Sequence, residues 1–178
     1  MRVLFIFFVT GLLLSCGARS RTDGGAGLLP IGAQAPDVAG VDQNGTSHTL
    51  SEAKGSWTVV YFYPKDATPG CTKEACAFRD VWDRYQAADI RLFGVSKGSS
   101  KSHKSFATEH RLDFPLIADE NEVWARAFGV SQMMGMYKRV TFIINGGGKV
   151  AKVYGDVDPG VHATQILTDI DALKTPKP

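Results

Sequence analysis

The clearest pattern in the chain is an apolar run followed at once by a helical repeat. Residues 57–63 are mostly aromatic and β-branched, which is typical of a buried central strand. Apolar positions then recur at spacings of three and four: Ala75, Phe78, Trp82 and Tyr85. This spacing predicts an amphipathic helix over about residues 71–86. Pro69 suits a first helical turn, so the pattern places Cys71 at a helix N-terminus.

The rest of the chain alternates between strand-like and helix-like patterns. The turn dipeptide Asn44-Gly45 predicts a small hairpin within residues 37–50. Further strands are expected over 90–96, 116–118, 139–145 and 149–154, and further helices over about 102–110, 120–128 and 161–173. Strands alternating with helices, then an antiparallel hairpin, predict an α/β fold with a mixed sheet and helices on both faces. No internal repeat or second domain is indicated.

Residues 1–16 have the pattern of a targeting segment. Arg2 supplies a sparse positive charge, and residues 3–14 form an apolar core too short to span a bilayer comfortably. The segment ends in Leu-Leu-Ser-Cys16, which resembles a bacterial lipobox, whose cysteine receives lipid and becomes the mature N-terminus. This resemblance implies a lipid-anchored protein of the bacterial cell envelope that faces the periplasm. An ordinary signal peptide with an incidental cysteine is the alternative.

The segment 17–30 mixes Gly, Ser, Arg and Ala without apolar periodicity, which predicts a flexible tether. Residues 31–178 then form one domain of ordinary size. The chain is 44% hydrophobic, which suffices for a core, and its net charge of +2 gives no hint of nucleic acid as a partner.

Two cysteines remain for chemistry once Cys16 is assigned to the lipobox. Unpaired N–H groups and the macrodipole at a helix N-terminus favour an anion, so a thiol at Cys71 loses its proton more easily and becomes a nucleophile. Cys76 falls on a polar stripe with Thr72 and Arg79, which favours a redox pair over two unrelated buried thiols. Residues five apart in an intact helix have Cα atoms about 8–9 Å apart. A disulfide needs about 4.4–6.8 Å, so joining the two cysteines requires the first turns to unwind.

Two stretches resemble signatures of the peroxiredoxin family, in the right order along the chain. The first is Pro64-x-x-x-Thr68-x-x-Cys71, and the second is Arg-Val-Thr-Phe-Ile-Ile at 139–144. The longer run Tyr-Pro-Lys-Asp-Ala-Thr-Pro-Gly-Cys-Thr-Lys-Glu-Ala-Cys is similar to the peroxiredoxin Q, or bacterioferritin comigratory protein, subgroup. The resemblance covers roughly residues 31–174. It implies a thioredoxin-like fold and a thiol peroxidase that reduces hydrogen peroxide and organic hydroperoxides without a cofactor or metal.

The resemblance also implies a role for each signature residue. Cys71 would be the attacking, or peroxidatic, thiolate, and Cys76 the resolving thiol that forms an intramolecular disulfide with it. Thr68 would offer its hydroxyl to the sulfur and accept a hydrogen bond from the peroxide proton, and its alternative role as a helix cap is compatible with this one. Pro64 would wall off the pocket from water. Arg139 would favour the thiolate and the leaving oxygen.

Several expectations stay open beside this one. Lys138 competes with Arg139 for the cationic role, since spacing along the strand does not exclude it. An external dithiol protein with a thioredoxin-like fold would supply electrons, and the subgroup is often monomeric. The alternatives are a general thiol–disulfide oxidoreductase, which would use Cys-x-x-Cys, and a membrane-tethered copper chaperone of thioredoxin fold. The histidines are expected at the solvated surface: His48, His103, His110 and His162.

Overall fold

The computed structural model describes residues 20–175. The predicted signal peptide and Cys16 lie outside the described residues. The first hairpin consists of β1 (Ala39–Val41) and β2 (Ser47–Thr49), and it is followed by a 3₁₀ turn over Leu50–Ala53. Within the described chain, no helix is both long enough and apolar enough to cross a membrane.

A five-stranded mixed sheet forms the centre of the domain. Its strands are β3 (Trp57–Phe62), β4 (Ile90–Ser96), β5 (Leu116–Ala118), β8 (Val140–Ile144) and β9 (Val150–Tyr154), with β6 (Gln132–Met133) and β7 (Met136–Tyr137) forming a separate short hairpin. The order across the sheet is β5-β4-β3-β8-β9. The β3–β4 and β4–β5 pairs are parallel, whereas β8 runs antiparallel to both β3 and β9. The predicted mixed α/β sheet is confirmed.

Helices cover both faces of this sheet. They are α1 (Pro69–Arg79), α2 (Trp82–Ala87), α3 (Ser100–His110), α4 (Val123–Phe128) and α5 (His162–Lys174). Because successive strand residues point to opposite faces, β3 contributes to two cores. Tyr61 packs with Phe78 of α1 and Ile166 of α5 on one face, while Phe62 packs with Phe128 of α4 on the other.

The helix predicted over 71–86 is in fact two helices. The backbone leaves the helical region at Val81, where φ is −124° and ψ is 17°, so α1 ends before α2 begins. The apolar spacing continues across the break because Phe78 and Tyr85 are buried in the same core. Periodicity alone therefore could not detect the interruption.

The prediction that the histidines lie at the solvated surface is wrong. His103 and His162 are fully buried, and His48 and His110 are half-buried. Each buried ring has polar partners that make burial tolerable. The Nε2 atom of His162 lies 2.8 Å from the Thr141 hydroxyl, and burial lowers the pKa of His162 to about 4, so this ring is neutral at pH 7.

The domain begins earlier than the predicted boundary at residue 31. Leu29 is buried, and its N–H donates to the Phe128 carbonyl at 2.9 Å. Leu28 packs against the same core. The end of the segment assigned to a flexible tether is therefore part of the folded domain.

Candidate active site

Cys71 lies in the first turn of α1, directly after the loop that follows β3. The loop begins at the carboxyl end of the central strand β3. Pro69 begins the helix, with Thr68 at the N-cap position. The Thr72 N–H donates to the Thr68 carbonyl at 2.8 Å, which closes the first turn around the thiol. Cys71 is 2% exposed. The N–H groups and dipole of a helix N-terminus favour negative charge at this position, whereas burial of the thiol opposes it.

Arg139 reaches this thiol from the neighbouring strand. The residue immediately precedes β8, which pairs with β3, and its Nη2 atom lies 3.4 Å from the Cys71 sulfur. Burial opposes the charge on Arg139, but Glu74 and Cys71 together raise the pKa of its guanidinium. Lys138, the competing cation, is exposed, and its backbone N–H donates to Ser131. The geometry thus brings Arg139 to the sulfur.

Glu74 is a site residue that the sequence analysis missed. It is fully buried one turn after Cys71, and its Oε2 atom accepts a hydrogen bond from Nη1 of Arg139. Its Oε1 atom has no hydrogen-bond partner among the described residues. Burial raises the pKa of Glu74 to about 7, although the adjacent Arg139 opposes the shift. One guanidinium therefore bridges a thiol and a carboxyl that titrates near neutrality.

Thr68 and Pro64 frame the approach to the sulfur. The Thr68 hydroxyl donates to the Lys65 carbonyl at 3.0 Å, and it makes no capping hydrogen bond of its own. Pro64 is half-buried and lines a cavity of about 290 Å³ that it shares with Arg139, Met136 and Tyr137. Pro64 and the cation of Arg139 therefore face one concave region.

Cys76 lies further along α1 and is half-buried. The Nη1 atom of Arg79 is 3.5 Å from its sulfur and also donates to the His110 carbonyl at 3.0 Å. Both cysteines are free thiols within the part of the chain that the structure describes. Because α1 is continuous from Pro69 to Arg79, the two sulfurs cannot bond without local opening of the helix.

Comparisons with known proteins agree with this site. The family model described as "AhpC/TSA family" matches residues 31–153. The chain therefore belongs to the AhpC/TSA family of peroxiredoxins, which are thiol peroxidases. Within that family its relatives place it in the peroxiredoxin Q, or bacterioferritin comigratory protein, subgroup, as the sequence predicts.

Two curated relatives illustrate the similarity. The chain is 40% identical over 146 residues to the chloroplastic peroxiredoxin Q of Sedum lineare, covering 80% of this chain and 78% of the relative. It is 36% identical over 146 residues to the putative peroxiredoxin bcp of Coxiella burnetii, covering 78% of this chain and 97% of the relative.

Solved structures show the same architecture. Peroxidoxin BcpB from Mycobacterium tuberculosis aligns with a TM-score of 0.76 at 33% identity, covering 83% of this chain and 99% of the other. The Xanthomonas campestris bacterioferritin comigratory protein, whose alkyl peroxide reduction has been described, aligns with a TM-score of 0.76 at 33% identity, covering 84% and 99%. The predicted thioredoxin-like fold is confirmed.

Proposed function

We propose that Cys71 is the nucleophile of this thiol peroxidase and that hydrogen peroxide and organic hydroperoxides are its substrates. The observation that carries the proposal is the contact of 3.4 Å between the Cys71 sulfur and Arg139 at the start of α1. A fixed cation and the helix N-terminus both stabilise a thiolate, the reactive form of cysteine. Arg139 also lies where charge develops on the departing oxygen.

In the first step the Cys71 thiolate attacks one oxygen of the peroxide in line with the O–O bond. A sulfur–oxygen bond forms, the O–O bond breaks, and the second oxygen leaves with the electron pair as hydroxide or alkoxide, which then takes a proton. Cys71 becomes a sulfenic acid. Because the Thr68 hydroxyl donates to the Lys65 carbonyl, its oxygen is available to accept a hydrogen bond from the peroxide O–H.

In the second step Cys76 attacks the sulfenic sulfur, which forms an intramolecular disulfide and releases water. This step requires α1 to open, because five residues of intact helix hold the cysteines too far apart. A reduced dithiol protein of thioredoxin-like fold then supplies two electrons and two protons to restore both thiols. Because the disulfide is formed within one chain, this cycle needs no second subunit, which is compatible with the monomeric state common in the subgroup.

The lipobox-like end of the leader supports a location at the periplasmic face of a bacterial membrane. Cys16 carries the lipid, and the domain faces the periplasm from a bacterial membrane. Electrons would then arrive through an exported thioredoxin-like protein or a membrane relay, since cytosolic reductants do not reach that compartment.

Peroxide consumption with a thioredoxin system tests the assignment of the cysteines. The soluble domain should consume hydrogen peroxide catalytically, and Cys71→Ser should abolish turnover because a serine hydroxyl stays protonated and is a poor nucleophile. Cys76→Ser serves as the matched variant, since it removes a thiol from the same helix and should still react once. Sustained turnover by Cys71→Ser would overturn the assignment.

A further inference from the structure

A cluster of polar side chains is buried beneath the loop that carries the active-site signature. Asp66, in the middle of that loop, accepts hydrogen bonds from three side chains. Its Oδ1 atom accepts from the Tyr63 hydroxyl at 2.8 Å, and its Oδ2 atom accepts from Ser102 at 2.5 Å and lies 2.8 Å from Nδ1 of His103. Burial opposes the charge on Asp66, but these donors, led by His103, lower its pKa. The carboxyl is therefore ionised.

His103, the partner of Asp66 on α3, is fully buried. Its Nδ1 atom faces the ionised Asp66, and its Nε2 atom lies 3.3 Å from the carbonyl oxygen of Ile117. The Asp66 contact is a buried hydrogen bond that joins α3 to the active-site loop.

The Asp66–His103 hydrogen bond lies next to a constrained part of the backbone. Ala67, the residue after Asp66, has a φ of 56°, a left-handed conformation that is unfavourable for alanine. Thr68 follows as the N-cap of α1. The opposite side of the pair is closed by Gly98, where a Cβ atom would lie 2.8 Å from the His103 ring and 3.2 Å from Oδ2 of Asp66. A strained turn is thus anchored at the residue immediately before it.

We propose that Asp66 and His103 are positioning residues for peroxide reduction. Their hydrogen bond holds the left-handed turn at Ala67 and, through it, sets Thr68 and the first turn of α1 around Cys71. Neither side chain touches the Cys71 sulfur. The inference rests on the proposed role of Cys71 as the nucleophile.

Isosteric replacements of the histidine test this role. In His103→Asn the amide nitrogen takes the place of Nδ1 and can still donate to Asp66, whereas in His103→Gln it takes the place of Nε2 and can donate only to Ile117. The measurement is the second-order rate constant of Cys71 oxidation by hydrogen peroxide in a single turnover, normalised to the folded fraction from circular dichroism. Misplacement of reacting groups costs about tenfold to a hundredfold in rate. We expect a loss in that range for His103→Gln and Asp66→Asn, with much of it restored in His103→Asn.

His110 provides a matched control, since it is half-buried on the same helix and its ring packs on Phe106. His110→Asn and His110→Gln should leave the rate constant unchanged. Wild-type rates per folded molecule in both His103 variants would show that the pair contributes stability alone. Equal losses in the two variants would show that the hydrogen bond to Asp66 does not set the rate, and would also overturn the inference. If His103→Gln reacts normally while Cys71→Ser is inactive, only this inference fails. If Cys71→Ser remains active, the proposed function itself fails.

Discussion

Cys71 and Arg139 lie 68 residues apart in the chain, yet the guanidinium of Arg139 is 3.4 Å from the Cys71 sulfur. The contact arises because β3 and β8 are antiparallel neighbours, with Phe62 opposite Val140. The end of β3 that leads to the thiol is therefore beside the beginning of β8 that carries the cation. This pairing assembles the site from two signatures that are distant in sequence.

Arg139→Met should slow the attack on peroxide and lower the thiolate fraction of Cys71 at pH 7. Removing one preorganised electrostatic partner costs about a hundredfold to a thousandfold in rate, and we expect a loss in that range. The measurements are stopped-flow oxidation by hydrogen peroxide and the absorbance of the thiolate as a function of pH.

Lys138→Met is the control for this prediction, because the neighbouring Lys138 is exposed and outside contact with the sulfur. It should react at the wild-type rate, and Arg139→Lys should retain part of the activity through its charge. An unchanged thiolate titration in Arg139→Met, with a slow Lys138→Met, would transfer the cationic role to Lys138.

Glu74 should make the stability of the domain depend on pH near neutrality. Burial raises its pKa from 4.5 to about 7, so the folded state keeps a proton that the unfolded state has lost. The contribution of the protonated carboxyl to stability is complete below about pH 4.5 and is lost as the pH rises through about 7. Glu74→Gln removes this titration.

The free energy of unfolding of Glu74→Gln minus that of wild type should therefore increase by roughly 2 kcal/mol between pH 5 and pH 8. Urea denaturation with reductant present measures the difference. Glu120→Gln, at an exposed position, should track the wild type at both pH values. A constant difference between Glu74→Gln and wild type would contradict the neutral-pH titration of the carboxyl.

The local strand–loop–helix unit around Cys71 could be predicted because its signals are close in sequence. A continuous apolar strand, Pro69 in the first turn and helical spacing after it all point to one placement of the thiol. The family resemblance added Arg139, whose proximity depends on the pairing of β3 with β8. Residue spacing alone carries no information on that long-range pairing.

The residues that the sequence analysis missed contact partners that are distant in the chain. Glu74 is a charged residue on an apolar helix stripe, a signal that could have marked it, but its partner Arg139 is 65 residues away. Burial of His103 is tolerated because Asp66, 37 residues earlier, supplies a hydrogen-bond partner. A histidine among polar neighbours in sequence gives no indication of such a partner.

Lipidation at Cys16 remains a prediction that lies outside the described residues. In a bacterial host the wild-type protein should incorporate labelled fatty acid and partition into detergent, whereas Cys16→Ser should be released or remain unprocessed. Cys71→Ser is the matched control, because it removes a different cysteine and should still be labelled. Equal mass and equal solubility of wild type and Cys16→Ser would show that the leader is an ordinary cleaved signal.

Opening of α1 should be the motion that limits disulfide formation. The helix break at Val81 separates α1 from α2, so α1 can unwind without disturbing the next helix. A segment that opens in every cycle belongs to the least stable part of a domain. Amide exchange in the reduced protein should therefore be faster in α1 than in α3, which has the same length of 11 residues.

Oxidation of Cys71 by peroxide should open α1. After one equivalent of peroxide, the amides of α1 should lose protection while those of α3 keep it, and mass spectrometry should find a single Cys71–Cys76 disulfide within a monomer.

Cys76→Ser should show the same exchange when reduced, because the substitution leaves the helix intact. It should react once with peroxide and then stall as a sulfenic acid or become over-oxidised, since it lacks the thiol that resolves Cys71. Full catalytic cycling by Cys76→Ser would mean that an outside thiol resolves Cys71, and the opening of α1 would then have no part in turnover.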